Sequence, residues 1–99
     1  MTQDVTCQEV KARLEGGEKL HFIDVREEWE HEEINIGALS MPLGDLPTRI
    51  SELESLREEE IIVHCKSGNR SWQAKKFLTS KGFTNVKHMV GGITEYLSL

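Results

Sequence analysis

Three short strand-like runs, each followed by a stretch with helical spacing, constrain this chain more than any other feature. Leu20, His21, Phe22, Ile23, Asp24 and Val25 form a compact, β-prone run with glycines before it and charges after it. Ile61 to His64, after three glutamates, and Val86 to Val90, before Gly91 and Gly92, read as two further short strands. Between and after them the apolar positions fall three or four residues apart, as on one face of a helix. Strands alternating with helices imply a parallel sheet covered on both faces and joined by right-handed crossovers. At 99 residues there is one core to fill, so the expected architecture is a single α/β domain over 1–99.

The remaining segments fit that frame. Thr6, Cys7, Gln8 and Glu9 read as a capping box that opens a first helix through Val10 and Leu14, with Gly16 and Gly17 as its stop. Residues 26–33 are too charged for core, and Trp29 is expected to pin a brief helical turn there. Ala38 to Met41 reads as a short strand ended by Pro42. Asp45, Leu46 and Pro47 begin another helix with Ile50, Leu53 and Leu56 on one face. Trp72, Lys75, Lys76, Phe77 and Leu78 belong to a helix closed by Gly82, and Gly91 and Gly92 turn the chain into a last helix through Ile93, Tyr96 and Leu97.

In open α/β sheets the binding crevice lies beyond the carboxyl ends of the strands. Three segments fall there: Asp24 to Arg26, the loop after Val63, and Gly91 to Gly92. The middle one carries chemistry. Cys65 leaves a strand end into Lys66, Ser67, Gly68, Asn69 and Arg70, ahead of a helix. A free cysteine has a pKa of about 8.5, which a helix N-terminus and nearby cations lower. Backbone N–H groups of such a loop curl into an anion nest, with Gly68 free to take a positive φ. Such a cradle fits a thiolate, a persulfide or a small oxyanion alike. A cysteine that merely packs at a strand end is the plain alternative.

Charge and cysteine usage limit the classes. Residues 1–62 hold six Lys/Arg against sixteen Asp/Glu, and residues 63–99 hold six against one. Overall acidity argues against nucleic acid, while the basic second part suggests a local positive field around Cys65. Cys7 and Cys65 make no disulfide framework or zinc spacing, and the four histidines are scattered, so free thiols and no metal are expected. With short, interrupted apolar runs and no secretory start, the chain reads as cytoplasmic, with no membrane partner.

His64 through Ser71, H-C-K-S-G-N-R-S, resembles the active-site loop of the rhodanese-like sulfurtransferases. Phe22 to Glu27 is similar to the family's early L-I-D-V-R-E segment, and Gly37, Ala38 and Pro42 to its G-A-x-x-x-P step. Gly82, Phe83, Asn85 and Val86, then Gly91, Gly92 and Ile93, keep the family's order and spacing. The resemblance covers nearly the whole chain and implies a rhodanese-like fold, a five-stranded parallel sheet flanked by helices on both faces. It also implies a sulfurtransferase without cofactors. Cys65 would take sulfane sulfur from thiosulfate or a persulfide donor and pass it to a thiol or cyanide. The backbone of Lys66, Ser67, Gly68, Asn69 and Arg70 would hold the persulfide, with Lys66 and Arg70 guiding a small anionic donor.

The spacing from Cys65 to Arg70 is C-x4-R, whereas related phosphatases encircle a phosphoryl group with C-x5-R. The smaller loop favours sulfur over phosphatase or arsenate-reductase chemistry at the same cysteine. A regulatory or binding module with an incidental cysteine is the third reading, disfavoured by the intact loop. Around the site, Asp24 is expected to hydrogen-bond structurally, Arg26 to pair with nearby glutamates, and His64 to point away from Cys65 by strand alternation. A first helical turn could acidify the Cys7 thiol somewhat, and whether Cys7 serves as a resolving partner for Cys65 is left open. Trp72 is bulkier than the family pattern and is expected to pack on its helix. Tyr96 stands where a tryptophan is common. Donor, acceptor and oligomeric state are left open.

Overall fold

The computed structural model describes residues 2–99. Five strands, β1 (Val5–Thr6), β2 (His21–Asp24), β3 (Leu39–Ser40), β4 (Ile61–His64) and β5 (Val86–Val90), make one parallel sheet in the order β1-β5-β4-β2-β3. Helices α1 (Cys7–Glu15), α2 (Glu28–Glu33), α3 (Leu46–Arg49), α4 (Asn69–Ser80) and α5 (Gly92–Tyr96) connect and cover it. The central strand is β4, whose four residues are all buried. That explains why Ile61 to His64 reads as a continuous apolar run rather than an alternating one.

Alternation along β4 divides the interior in two. Ile61, Val63 and Cys65 face one core with Ile23, Leu53, Ala74, Leu78 and Phe83. Ile62 faces the other with Val5, Cys7, Val10, Phe22 and Met89, beneath α1. Each fully buried aliphatic side chain contributes about 1.5–3 kcal/mol. Cys65 therefore leaves the sheet on the α4 side, anchored by a well-packed strand.

Three expectations are corrected. The edge strand β1 is absent from the sequence reading, because two residues paired to Met89 and Val90 give no periodicity to detect. Thr6 also serves as the N-cap of α1, where the predicted capping box is present. The helix expected from Asp45 is a 3-10 turn at Leu43–Asp45, a single α-turn, and a 3-10 helix at Ile50–Leu56. Ile50, Leu53 and Leu56 recur every third residue, which aligns them in a helix of 3.0 residues per turn. Trp29 does not pin α2; it is 64% exposed. Two polar contacts hold α2 instead, from Glu30 to Arg70 and from His31 to Asp24.

Candidate active site

The loop 65–68 is shaped by hydrogen bonds at both ends. Ile93 N–H donates to the Cys65 carbonyl at 2.9 Å and Thr94 N–H to the Lys66 carbonyl at 3.1 Å, so the first turn of α5 clamps the loop. Gly92 makes the approach possible, since a Cβ there would lie 2.3 Å from the Lys66 carbonyl oxygen. Gly68 adopts φ 118°, directing its N–H inward onto Cys65 Sγ at 3.1 Å. Ser71, in the first turn of α4, lies with Oγ 3.5 Å from the same sulfur.

Cys65 is 1% exposed. Burial pushes its thiol pKa up, but the Ser71 hydroxyl and the backbone N–H groups of Ser71, Gly68 and Ser67 outweigh burial and hold it below the ordinary value. Polar donors aimed at one sulfur thus favour the thiolate. Cys7 is the opposite case. It is wholly buried, its Sγ donates to the carbonyls of Val90 and Gly92 at 3.3 Å, and burial with Glu95 raises its pKa to about 11. The first helical turn therefore does not acidify Cys7: desolvation exceeds what one turn offers.

The cationic surroundings are also more neutral than the division of charge along the chain suggests. Arg70 is gripped by Glu30 through two bonds, 2.6 and 3.1 Å. Arg26 is buried and forks onto Asp24, not onto glutamates, and also donates to the Ile34 carbonyl at 2.7 Å. The acidic first part of the chain supplies both carboxylates, Asp24 from the end of β2 and Glu30 from α2. Lys66 stays exposed. It lines a cavity of about 290 Å³ beside the loop, together with Arg26, Trp29, Ile34, Ile93 and Leu97.

Asp24 accepts hydrogen bonds from Arg26 and lies 2.8 Å from His31 Nδ1. Burial would raise its pKa, but hydrogen bonds from Arg26 and His31 and the proximity of His64 hold it lowered. His64 is buried against Phe22, ring centroids 5.0 Å apart, with Nδ1 3.3 Å from the Cys65 carbonyl. Its Nε2 has no hydrogen-bond partner and lies 3.9 Å from Asp24. Burial depresses the His64 pKa, which keeps the ring neutral. Trp72 is partly exposed and tilts against His88 at 5.8 Å rather than lining the cavity.

Three participants escaped the sequence reading. Glu30, Ser71 and His88 come from α2, α4 and β5 and meet at the loop only in the fold. Ser71 alone carried a signal, as the last residue of the eight-residue motif.

A parallel sheet carrying at its carboxyl edge a cysteine loop whose N–H groups converge on the sulfur places the chain in a class that comparison makes specific. Residues 6–99 match the family model of the Rhodanese-like domain, and the chain belongs to that family. A protein named sulfurtransferase from Allochromatium vinosum is 30% identical over 94 residues, covering 94% of this chain and 86% of that one. A Bacillus subtilis protein provisionally named a sulfur carrier protein is 32% identical over 94 residues. The match covers 94% of this chain but spans 50% of that protein's length. Among solved structures, the human single-domain sulfurtransferase TSTD1 superposes with a TM-score of 0.83 at 26% identity, covering 96% of this chain and 95% of that one.

Proposed function

We propose that the protein is a sulfurtransferase that carries sulfane sulfur as a persulfide on Cys65, from thiosulfate or a persulfide donor to a thiol or cyanide. The observation that carries this reading is the Gly68 N–H fixed 3.1 Å from Cys65 Sγ, in a loop of C-x4-R length. In the first step the Cys65 thiolate attacks the outer sulfur of the donor. A Cys65 S–S bond forms, the donor's S–S bond breaks, and its electron pair leaves with sulfite or the donor thiolate. In the second step the acceptor attacks the outer sulfur and Cys65 departs again as thiolate, which the same N–H groups stabilise. Charge is present at the cradle throughout, so its donors need no reorganisation.

Lys66 meets the anionic donor, being exposed at the cavity beside the loop. Arg70 ties the start of α4 to α2 through Glu30, and its field reaches Cys65 diminished by that carboxylate. Two free cysteines fit a reducing cytoplasm. No helix among the described residues is long and apolar enough to cross a membrane. The partners proposed are a small anionic sulfur donor and a thiol acceptor.

The test is thiocyanate formation from thiosulfate and cyanide, run beside hydrolysis of p-nitrophenyl phosphate and reduction of arsenate. Sulfur transfer with ping-pong kinetics, abolished in Cys65→Ser, is expected. Phosphatase or arsenate-reductase turnover exceeding sulfur transfer would overturn the reading in favour of oxyanion chemistry.

A further inference from the structure

The hydroxyl of Ser71 stands at a junction. Its Oγ lies 3.5 Å from Cys65 Sγ, 3.1 Å from the Gly68 carbonyl and 3.1 Å from His88 Nδ1. His88, on β5, is itself held from the far side. Its Nε2 is 3.4 Å from Asp4 Oδ2, and its backbone N–H donates to Asp4 Oδ1 at 3.0 Å. Asp4 is paired with Lys75 from α4, and the Trp72 ring lies against the imidazole. The charged and titratable groups facing His88 are thus Asp4 from the N-terminal segment, Lys75 from α4, and Cys65 through Ser71.

A serine hydroxyl has one proton to give. When His88 Nδ1 is bare, it shares the single Ser71 proton with the Gly68 carbonyl, and the Ser71 oxygen is left to accept from the Cys65 thiol. When Nδ1 carries a proton, it donates to Ser71, which turns its own proton to the Cys65 thiolate. The chain Cys65, Ser71, His88, Asp4 therefore has two hydrogen-bond directions, one for each protonation state of the sulfur.

We propose that His88, oriented by Asp4 and acting through Ser71, is a positioning residue that takes up the Cys65 proton and so couples ionisation of the thiol to that of the imidazole. In the transfer the Cys65 S–H bond breaks as an O–H bond forms on Ser71. The original Ser71 O–H bond breaks as an N–H bond forms at His88 Nδ1. Thiol and neutral imidazole become thiolate and imidazolium, with Nε2–H facing the Asp4 carboxylate and no outside reactant consumed. Burial pushes the His88 pKa down, Lys75 acts in the same sense and Asp4 opposes both, so the ring starts neutral and the Asp4 carboxylate is the group that favours the imidazolium. The proposal rests on Cys65 as the reacting sulfur.

Two measurements, neither needing a sulfur donor, test it separately from the transfer reaction. The first is the pH profile of Cys65 alkylation by iodoacetamide, located by mass spectrometry, in wild type, His88→Asn, Ser71→Ala and the double variant. Asn keeps a polar atom near the Nδ1 position without titrating. The expected result is a Cys65 pKa raised by about one unit in His88→Asn, roughly tenfold less thiolate at a fixed lower pH. With Ser71 already replaced by Ala, the same substitution should have less than about a third of that effect, as a coupled pair requires. The second is an NMR titration of the His88 imidazole in wild type and Cys65→Ser. Its midpoint should fall by about the same unit in the variant, because coupling is reciprocal. Superimposable alkylation profiles, equal shifts with and without Ser71, or an unmoved His88 midpoint each overturn the relay. If His88→Asn does not fold, the NMR titration decides alone.

Discussion

Replacing Gly92 by Ala tests whether the close approach of α5 sets the geometry of the cysteine loop. Gly92 has φ 65°, and a Cβ built on it lies 2.3 Å from the Lys66 carbonyl oxygen, 2.5 Å from its carbon and 2.7 Å from Ser67 N. Ordinary contact begins at 3.4 Å, so the loop backbone must retreat by about 1 Å. That retreat stretches the two bonds from Ile93 and Thr94 that span the same gap. The left-handed conformation costs about 1–2 kcal/mol and weakening two hydrogen bonds about 1 kcal/mol more, about 2–3 kcal/mol in all. A displacement of that size at the reacting atom costs on the order of 100-fold in rate. Gly17 supplies the control. It has φ 83° with nothing within 4 Å of its Cβ position, so Gly17→Ala meets the backbone cost of about 1–2 kcal/mol alone. Urea unfolding gives the stabilities, and steady-state sulfur transfer on the folded fraction gives the rates. Gly92→Ala should lose about 100-fold in kcat/KM, while Gly17→Ala stays within about twofold. A folded Gly92→Ala protein transferring sulfur at the wild-type rate would refute the steric account of the loop.

Further perturbations separate charge from geometry. Glu30→Gln removes the carboxylate that offsets Arg70. The KM for thiosulfate should fall several-fold with little change for a neutral donor, while stability drops by about 1 kcal/mol or less in thermal melts; a raised thiosulfate KM would mean that Arg70 serves through its placement. Lys66→Ala should weaken thiosulfate use more than use of a neutral donor, and equal losses would remove its role in reading donor charge. Glu60 is held by Arg13 and Lys87, and its pKa is lowered from 4.5 to about 2. A depressed carboxylate contributes stability that is fully present above pH 4.5 and is lost as pH falls through about 2. After screening at this part-exposed site, that contribution is roughly 1–2 kcal/mol. Glu60→Gln should remove it at pH 7 and flatten the acid limb of the stability curve between those values; an unchanged limb would show the cluster to be inert.

What the sequence made legible follows from how local its signals are. The strand runs of β2 and β4 announce themselves because buried parallel strands concentrate Ile, Val and Phe in a few consecutive residues, whereas β5 shows only as a short run between Asn85 and the Gly91–Gly92 pair. The capping box at Thr6 and the Gly91–Gly92 turn are equally local. The motif around Cys65 pointed to a nest of N–H groups, and the Gly68 contact is such a bond. Long-range pairing was the hidden part. Nothing near Arg70 in the chain indicates that Glu30, forty residues earlier, takes up its charge. Nothing near Ser71 indicates that His88 arrives from the neighbouring strand. The division of the chain into acidic and basic parts misled for the same reason, since folding interleaves them. Cys7 shows the converse error: a helix N-terminal position suggested acidity, and burial reversed it.

The most direct test of the central claim is the intact mass of the protein after incubation with thiosulfate, with and without subsequent cyanide, for wild type and Cys65→Ser. A persulfide carrier gains one sulfur atom in wild type, loses it to cyanide, and gains nothing once Cys65 is replaced. If both proteins gain the same adduct, or neither gains any while transfer proceeds, Cys65 is not the sulfur carrier.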